Sequence, residues 1–289
     1  MTTGSQSSGR IGVVIQNIAP LRAEPDSKSE QVSQALIGQN VKIEDGSHGW
    51  LYVQTWDTYR AWIPAAALRI LPSGSEPYAS VGAVAIMREL FVDVRRSASD
   101  KSEILTKATI SAELEVVKSA NDWVELLMPD NQHAYIRKKE ARLVDKDLAQ
   151  TIPLPDPRKL VETAEQFIGV PYLWGGSSPF GIDCSGFVQL VHRVHGVTLL
   201  RDACLQADDT RAVPVERDSL RAGDLVFFAS SGGCVSHVGM MVDKKRFIHS
   251  RGGFGVGITP ISDPYYTSIY WGARKMRLAT LDPGGGVTG

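Results

Sequence analysis

One cysteine and two histidines in the C-terminal half have the types and spacing of a nucleophile, its base and an orienting group. Cys184 follows Asp183 and precedes Ser185-Gly186, and Phe187, Val188, Val191 and Val194 continue at helical intervals toward Gly196. This pattern predicts a buried helix that opens at Cys184. Unpaired N–H groups and the helix dipole favour negative charge there, so the expectation is a lowered thiol pKa and a reactive thiolate. Such a nucleophile needs a base, and the base needs a partner that orients it. His237 and His249 lie symmetrically about Asp243. A hairpin folded at Asp243 makes them cross-strand neighbours, and an odd loop or a bulge puts both side chains on one face. His249 then bonds one nitrogen of His237 and leaves the other for Cys184, setting the tautomer without a carboxylate. Either histidine taken alone has the plainer reading of a satisfied polar residue at a strand edge.

The remaining metal-binding or nucleophilic residue types carry less. Cys204 and Cys234 read as buried small hydrophobes. Three cysteines with no C-x-x-C spacing exclude a disulfide framework and a cysteine zinc site. His192 and His195 stand one helical turn apart without a third ligand, and read as a partly solvated helix face. Gly252 to Gly257 is glycine-rich, lacks G-x-G-x-x-G spacing, and reads as a flexible cleft loop. Neither a metal nor a cofactor is expected.

The elements that must position the cysteine and histidines follow from local signals. Asp156-Pro157 is an N-cap and first helical position; Leu160, Ala164, Phe167 and Ile168 follow helical spacing, and Gly169 suits the stop. A glycine-rich loop, Trp174 to Ser178, precedes Cys184. Strands are expected at Leu225–Phe228, His237–Val242, Arg246–His249 and Tyr270–Leu278. Helices first and antiparallel strands afterwards make an α+β domain.

The N-terminal half is a repeat. A shift of 73 positions sets Leu21-Arg22 on Val94-Arg95, Lys28-Ser29-Glu30 on Lys101-Ser102-Glu103, Trp50 on Trp123 and Trp62-Ile63 on Tyr135-Ile136. Val41-Lys42-Ile43 and Leu114-Glu115-Val116 alternate as strands do, with turn chemistry at Asp45-Gly46 and Asn121-Asp122. Two short-stranded copies predict two small barrels, joined at Ser73 to Pro77. A proline-rich stretch from Ile152 to Pro157 stiffens the connection to the second half, and the tail around Pro283 to Gly286 reads as disordered.

Bulk composition excludes several classes. The 289 residues suggest about two domains, and 43% hydrophobic with 22% charged residues is ordinary globular composition. With 31 basic and 32 acidic residues there is no positive field for nucleic acid or anionic lipid. No apolar run is long enough to span a membrane, and MTTGSQSSGR has no basic-then-apolar pattern, so the expected location is cytoplasmic.

Taken in order, these residues carry a resemblance. Val170-Pro171-Tyr172-Leu173-Trp174-Gly175-Gly176, Asp183-Cys184-Ser185-Gly186, Arg201-Asp202, Ala222 to Phe228, Ser236-His237-Val238-Gly239 and Phe247-Ile248-His249-Ser250 resemble the NlpC-type cysteine peptidases, which have a papain-like core and cut bacterial cell-wall peptides. The repeat resembles the bacterial SH3-like domain. The resemblance implies an α+β papain-like cysteine peptidase domain, residues 157–280, behind two small all-β SH3-like barrels, residues 11–72 and 84–145. It implies Cys184 as nucleophile, His237 as base, His249 as third polar member and Tyr172 beside the oxyanion.

The architecture is similar to the subgroup that cleaves the γ-D-glutamyl-diamino acid bond of peptides with a free N-terminal L-alanine. That similarity implies amine recognition by Glu24 and Tyr59 of the first barrel, lining the cleft, with Asp183, Ser185 and Asp202. The second copy has Ser97 and Gln132 at the positions of Glu24 and Tyr59, so it lacks both groups. The expected partner is a murein peptide, with no nucleic acid and no membrane. Two other functions fit the same residues: a wall-tethered hydrolase or binding protein, and a related thiol amidase or acyltransferase.

Overall fold

Each strand of the second sheet begins 73 residues after its counterpart in the first. The first holds β1 (Arg10–Val14), β2 (Ile18–Arg22), β3 (Gln31–Leu36), β4 (Asn40–Ser47), β5 (Trp50–Gln54), β6 (Arg60–Pro64) and β7 (Leu68–Ile70). The second holds β8 (Ala83–Met87), β9 (Phe91–Arg95), β10 (Ile104–Thr109), β11 (Glu113–Ala120), β12 (Trp123–Leu127), β13 (His133–Arg137) and β14 (Ala141–Asp145). Strand order is equivalent, β3-β2-β6-β5-β4-β1-β7 and β10-β9-β13-β12-β11-β8-β14. Corresponding strands also bury alternate residues alike: Ala61 and Ile63 on β6, Ala134 and Ile136 on β13. The protein is described from a computed structural model covering residues 10–148, 155–229 and 233–277, in two compact units divided between Leu148 and Ala149. Ile152 to Leu154 of the proline-rich connection, and the glycine tail, lie outside the described residues.

Asp45-Gly46 is not a turn: it lies within β4, where the register shifts at a bulge, and the chain reverses at His48-Gly49, both at positive φ. The equivalent turn in the second copy does use Asn121, at φ 52°. The joint between the sheets is fastened by Tyr78, which sequence periodicity did not single out. Its hydroxyl donates to Leu127 O at 2.6 Å and accepts from Glu115 N at 3.0 Å, while its backbone pairs with the Asn40 side chain at 2.8 and 2.9 Å.

The second unit begins with α1 (Pro157–Glu165), capped by Asp156, whose carboxylate accepts from Arg158 N. Leu160, Ala164 and Phe167 are buried, but Ile168 is exposed, because the helix ends before it and the chain turns at Gly169. A small ribbon, β15 (Ser177–Ser178) and β16 (Gly181–Ile182), leads into α2 (Cys184–Val194), and α3 (Ala203–Ala207) follows. Then come β17 (Ala212–Pro214), β18 (Leu225–Ala229), β19 (Val235–Met241), β20 (Arg246–Arg251), β21 (Gly255–Pro260), α4 (Pro264–Ser268) and β22 (Tyr270–Met276). They form an antiparallel sheet ordered β17-β22-β18-β19-β20-β21, and α2 packs on β19 and β20. Phe187 of α2 and Phe227, Phe228 and Phe247 of the sheet are fully buried, each contributing about 1.5–3 kcal/mol. The glycine-rich stretch is not a loop throughout: Gly252 to Phe254 turn the chain, and Gly255 to Gly257 belong to β21.

Candidate active site

The opening of α2 is built by Asp183. Its carboxylate caps the helix by accepting from Gly186 N at 2.7 Å, and it accepts from the Ser185 hydroxyl at 3.2 Å. Arg201, only 2% exposed, holds both carboxylate oxygens at 3.1 and 2.5 Å. The same guanidinium reaches Ser185 Oγ at 2.9 Å. A buried carboxylate without that partner would be destabilising by several kcal/mol. Gln206 adds a bond to Ser185 O at 3.2 Å. Gly186 has no alternative at its position, since a Cβ would stand 2.4 Å from Gly176 O.

Cys184 sits on the first turn of this helix, 7% exposed, and its sulfur accepts hydrogen bonds from Val238 N and Ser185 N. The thiol is therefore beside the residue that follows His237. The expected lowering of its pKa is not what the site produces. Burial, reinforced by the Asp183 charge, pushes the thiol up to about 12, against the Arg201 charge and the two backbone donors. Burial likewise holds His237 down to about 4, helped by the Arg251 charge. At neutral pH the resting pair is thus a thiol and a neutral imidazole, the protonation states of general-base catalysis. Tyr172 bridges to Ile182 in the segment before α2 and senses the Cys184 charge. Burial raises its hydroxyl to about 12, so it remains a hydrogen-bond donor.

The histidines do meet, by a different register from the one expected. Met240 pairs with Ile248 and Met241 with Phe247, so the hairpin centres one residue beyond Asp243. Continuing that register sets Gly239 opposite His249 and Arg251 opposite His237. His237 and His249 are therefore diagonal neighbours on one face, with His237 Nε2 2.7 Å from His249 Nδ1. Gly239 makes the diagonal possible: a Cβ there would lie 2.6 Å from Phe247 Cδ2 and 3.1 Å from His249 Cβ. On the other side His249 faces Gly257, and its Nε2 reaches diagonally to Thr259 Oγ1 at 3.0 Å. His249 is fully buried, and its pKa is depressed to about 2 by that burial and by the two neighbouring charges. A row of His237, His249 and Thr259 thus crosses three strands, flanked by glycines. Thr259 was not found from the sequence; its only signal is its place two residues past the glycine that faces His249.

Other expectations are corrected by burial. Cys204 and Cys234 are exposed rather than buried. His192 is 2% exposed and bonded to Val188 O at 2.8 Å, so it is not on a solvated face, while His195 is half-buried and meets Thr163 Oγ1 at 2.9 Å. Among the described residues no group of three His, Cys, Asp or Glu side chains could hold a metal ion. Asp202 is the N-cap residue of α3 without a capping side-chain bond.

In the first sheet β2 meets β6 at Arg22 and Trp62, so the loops bearing Glu24 and Tyr59 leave the same end of the sheet. Glu24 is exposed and Tyr59 half-buried.

A cysteine on a helix start packed against an antiparallel sheet that presents a histidine pair defines a papain-like cysteine peptidase domain. The chain belongs to the NlpC/P60 family. The model of that family matches residues 169–275, and that of the bacterial dipeptidyl-peptidase SH3 domain matches residues 21–68. The γ-D-glutamyl-L-lysine dipeptidyl-peptidase of Bacillus cereus is 31% identical over 258 residues, 84% of this chain and 74% of that one. Dipeptidyl-peptidase 6 of Lysinibacillus sphaericus is 28% identical over 261 residues, 88% of this chain and 92% of that one. A crystal structure of an NlpC/P60 family protein from Bacillus cereus superposes with a TM-score of 0.82 at 26% identity, covering 93% of this chain and 100% of that one.

Proposed function

We propose that this cysteine peptidase hydrolyses the bond between γ-D-glutamate and a diamino acid in murein-derived peptides with a free N-terminal L-alanine. The observation that carries the reading is the His237–His249 bond at 2.7 Å, which commits one nitrogen of His237 and leaves the other for the thiol held beside Val238. Likeness to the γ-D-glutamyl-L-lysine dipeptidyl-peptidase of Bacillus cereus supports the substrate class.

His237 takes the Cys184 proton as sulfur bonds to the γ-carbonyl carbon. Backbone N–H groups at the start of α2, with the Tyr172 hydroxyl, receive the developing oxyanion. His237 then returns the proton to the departing amine of the diamino acid, the C–N bond breaks, and a thioester remains. Water activated by His237 attacks that thioester, releasing the L-Ala-γ-D-Glu product and restoring the thiol.

Amine recognition by Glu24, Tyr59, Asp183, Ser185 and Asp202 is part of the same proposal. An ammonium removed from water needs compensating carboxylates, and a peptide without it leaves them unmatched. A cytoplasmic place of action belongs to this reading and is checked by cell fractionation.

Mass spectrometry of defined peptides tests the whole. L-Ala-γ-D-Glu-diamino acid is cleaved between the last two residues and its N-acetylated form is not. Cys184→Ala abolishes turnover while the fold survives. Equal rates on both peptides remove the amine recognition, and an active Cys184→Ala removes the mechanism.

A further inference from the structure

Arg251 ends β20, two residues past His249 and on the same face of the strand. The β19–β20 pairs end at Met240 and Ile248, and the same register carried on would bring Arg251 level with His237. It stacks 4.4 Å above the ring of Phe254, which is 76% exposed. On its other side it donates a hydrogen bond to the Tyr266 hydroxyl, and Tyr266 itself packs on His249 with ring centroids 5.0 Å apart. The charge is felt by both histidines and disfavours their protonation.

Among the other arginines of this unit, Arg201 is paired with Asp183, Arg211 with Asp209 and Arg246 with Asp243, while Arg217, Arg221 and Arg274 donate to backbone carbonyls. Arg251 is half-buried and forms no ion pair with a carboxylate among the described residues. A cation held beside two neutral imidazoles is unfavourable in the free protein, and an anion arriving with the substrate relieves it.

We propose that Arg251 binds a carboxylate of the substrate, namely the free α-carboxylate of the γ-linked glutamyl residue. A γ-linkage leaves that group unesterified and unamidated, three carbons from the carbonyl that Cys184 attacks, so both lie within one residue of substrate. The guanidinium stands beside the base that serves this carbonyl. This assignment rests on the peptidase reading above. The diamino acid supplies a second carboxylate of the same chemistry, at the C-terminus of the peptide.

Three peptides separate these sources: L-Ala-γ-D-Glu-L-Lys, the same peptide with the glutamyl α-carboxylate as its amide, and the same peptide with a C-terminal amide. Rates are taken at about pH 6.5, above the histidine limb and below loss of the substrate ammonium, on wild type, Arg251→Met and Arg251→Lys, each checked for an unchanged melting temperature. Wild type prefers the free glutamyl carboxylate over its amide by about 10- to 100-fold in kcat/KM, the size of a charge-assisted pair. Arg251→Met brings that ratio close to one, and Arg251→Lys recovers part of it. A ratio unchanged in Arg251→Met overturns the proposal and leaves the peptidase reading intact. Discrimination that follows the C-terminal amide instead overturns the assignment to the glutamyl group. Wild type inactive on all three peptides overturns the peptidase reading, and this inference with it.

Discussion

Replacing Thr259 by valine removes one oxygen, keeps the shape of the side chain, and tests the protonation logic of the whole site. For His237 to accept the thiol proton, its free nitrogen must lack a proton, so Nε2 carries it and donates to His249 Nδ1 across 2.7 Å. His249 then carries its own proton on Nε2 and donates it to Thr259 Oγ1 across 3.0 Å. His249 is 0% exposed and Thr259 5%, so water does not replace the lost acceptor. An unmatched buried N–H is disfavoured by about 1–3 kcal/mol, and this penalty falls on the productive tautomer alone. The other tautomer puts the His249 proton on Nδ1, forces the His237 proton to the nitrogen facing Cys184, and disables the base. The expected loss in kcat is about 5- to 150-fold at a tenfold change per 1.4 kcal/mol, with KM little changed. Thr259→Ser keeps most of the activity. Nitrogen-15 NMR of labelled histidine reports the tautomers directly. A Thr259→Val protein within twofold of wild type, with His249 still protonated at Nε2, refutes the relay.

The remaining predictions concern pH, the buried ion pair and the glycine between the strands. Because His237 works as a neutral base and burial holds it down to about 4, kcat/KM rises through an acid limb near pH 4, and Cys184 at about 12 adds no limb near neutrality. An alkaline fall near about 8 follows from loss of the substrate ammonium. A pH–rate profile with its acid limb above pH 6 contradicts the neutral pair. Arg201→Met leaves Asp183 buried without its cation and lowers stability by about 3–5 kcal/mol in urea unfolding, part of which Asp183→Asn restores in the double variant. A loss below about 1 kcal/mol places the pair outside the buried class. In Gly239→Ala the new methyl crowds Phe247 and His249, so kcat falls by about tenfold or more while the melting temperature still shows a folded domain; full activity contradicts the diagonal geometry.

Much of the molecule was legible because it is written in local or periodic signals. The repeat is a matter of identity at a fixed offset, and the strand starts follow it residue for residue. Asp156 was recognisable as a cap because a carboxylate just before an apolar helix satisfies backbone donors within its own turn. The glycine-rich β21 was missed because Gly255 and Gly257 carry no side chain to alternate. Asp45-Gly46 misled because a bulge and a turn draw on the same residue types.

By itself, then, the order of residues singled out the candidate groups: one thiol at the start of a helix, two histidines on successive strands, and a repeated all-β half before them. Tertiary structure alone decided their states. Register is a relation between strands, and a shift of two residues turned an opposed histidine pair into a diagonal row that includes Thr259. Burial depends on everything packed around a group, and it reversed the expected direction for the thiol, hid His192 and exposed Cys204 and Cys234. Desolvation is set by distant segments closing over an atom, which no spacing along the chain encodes.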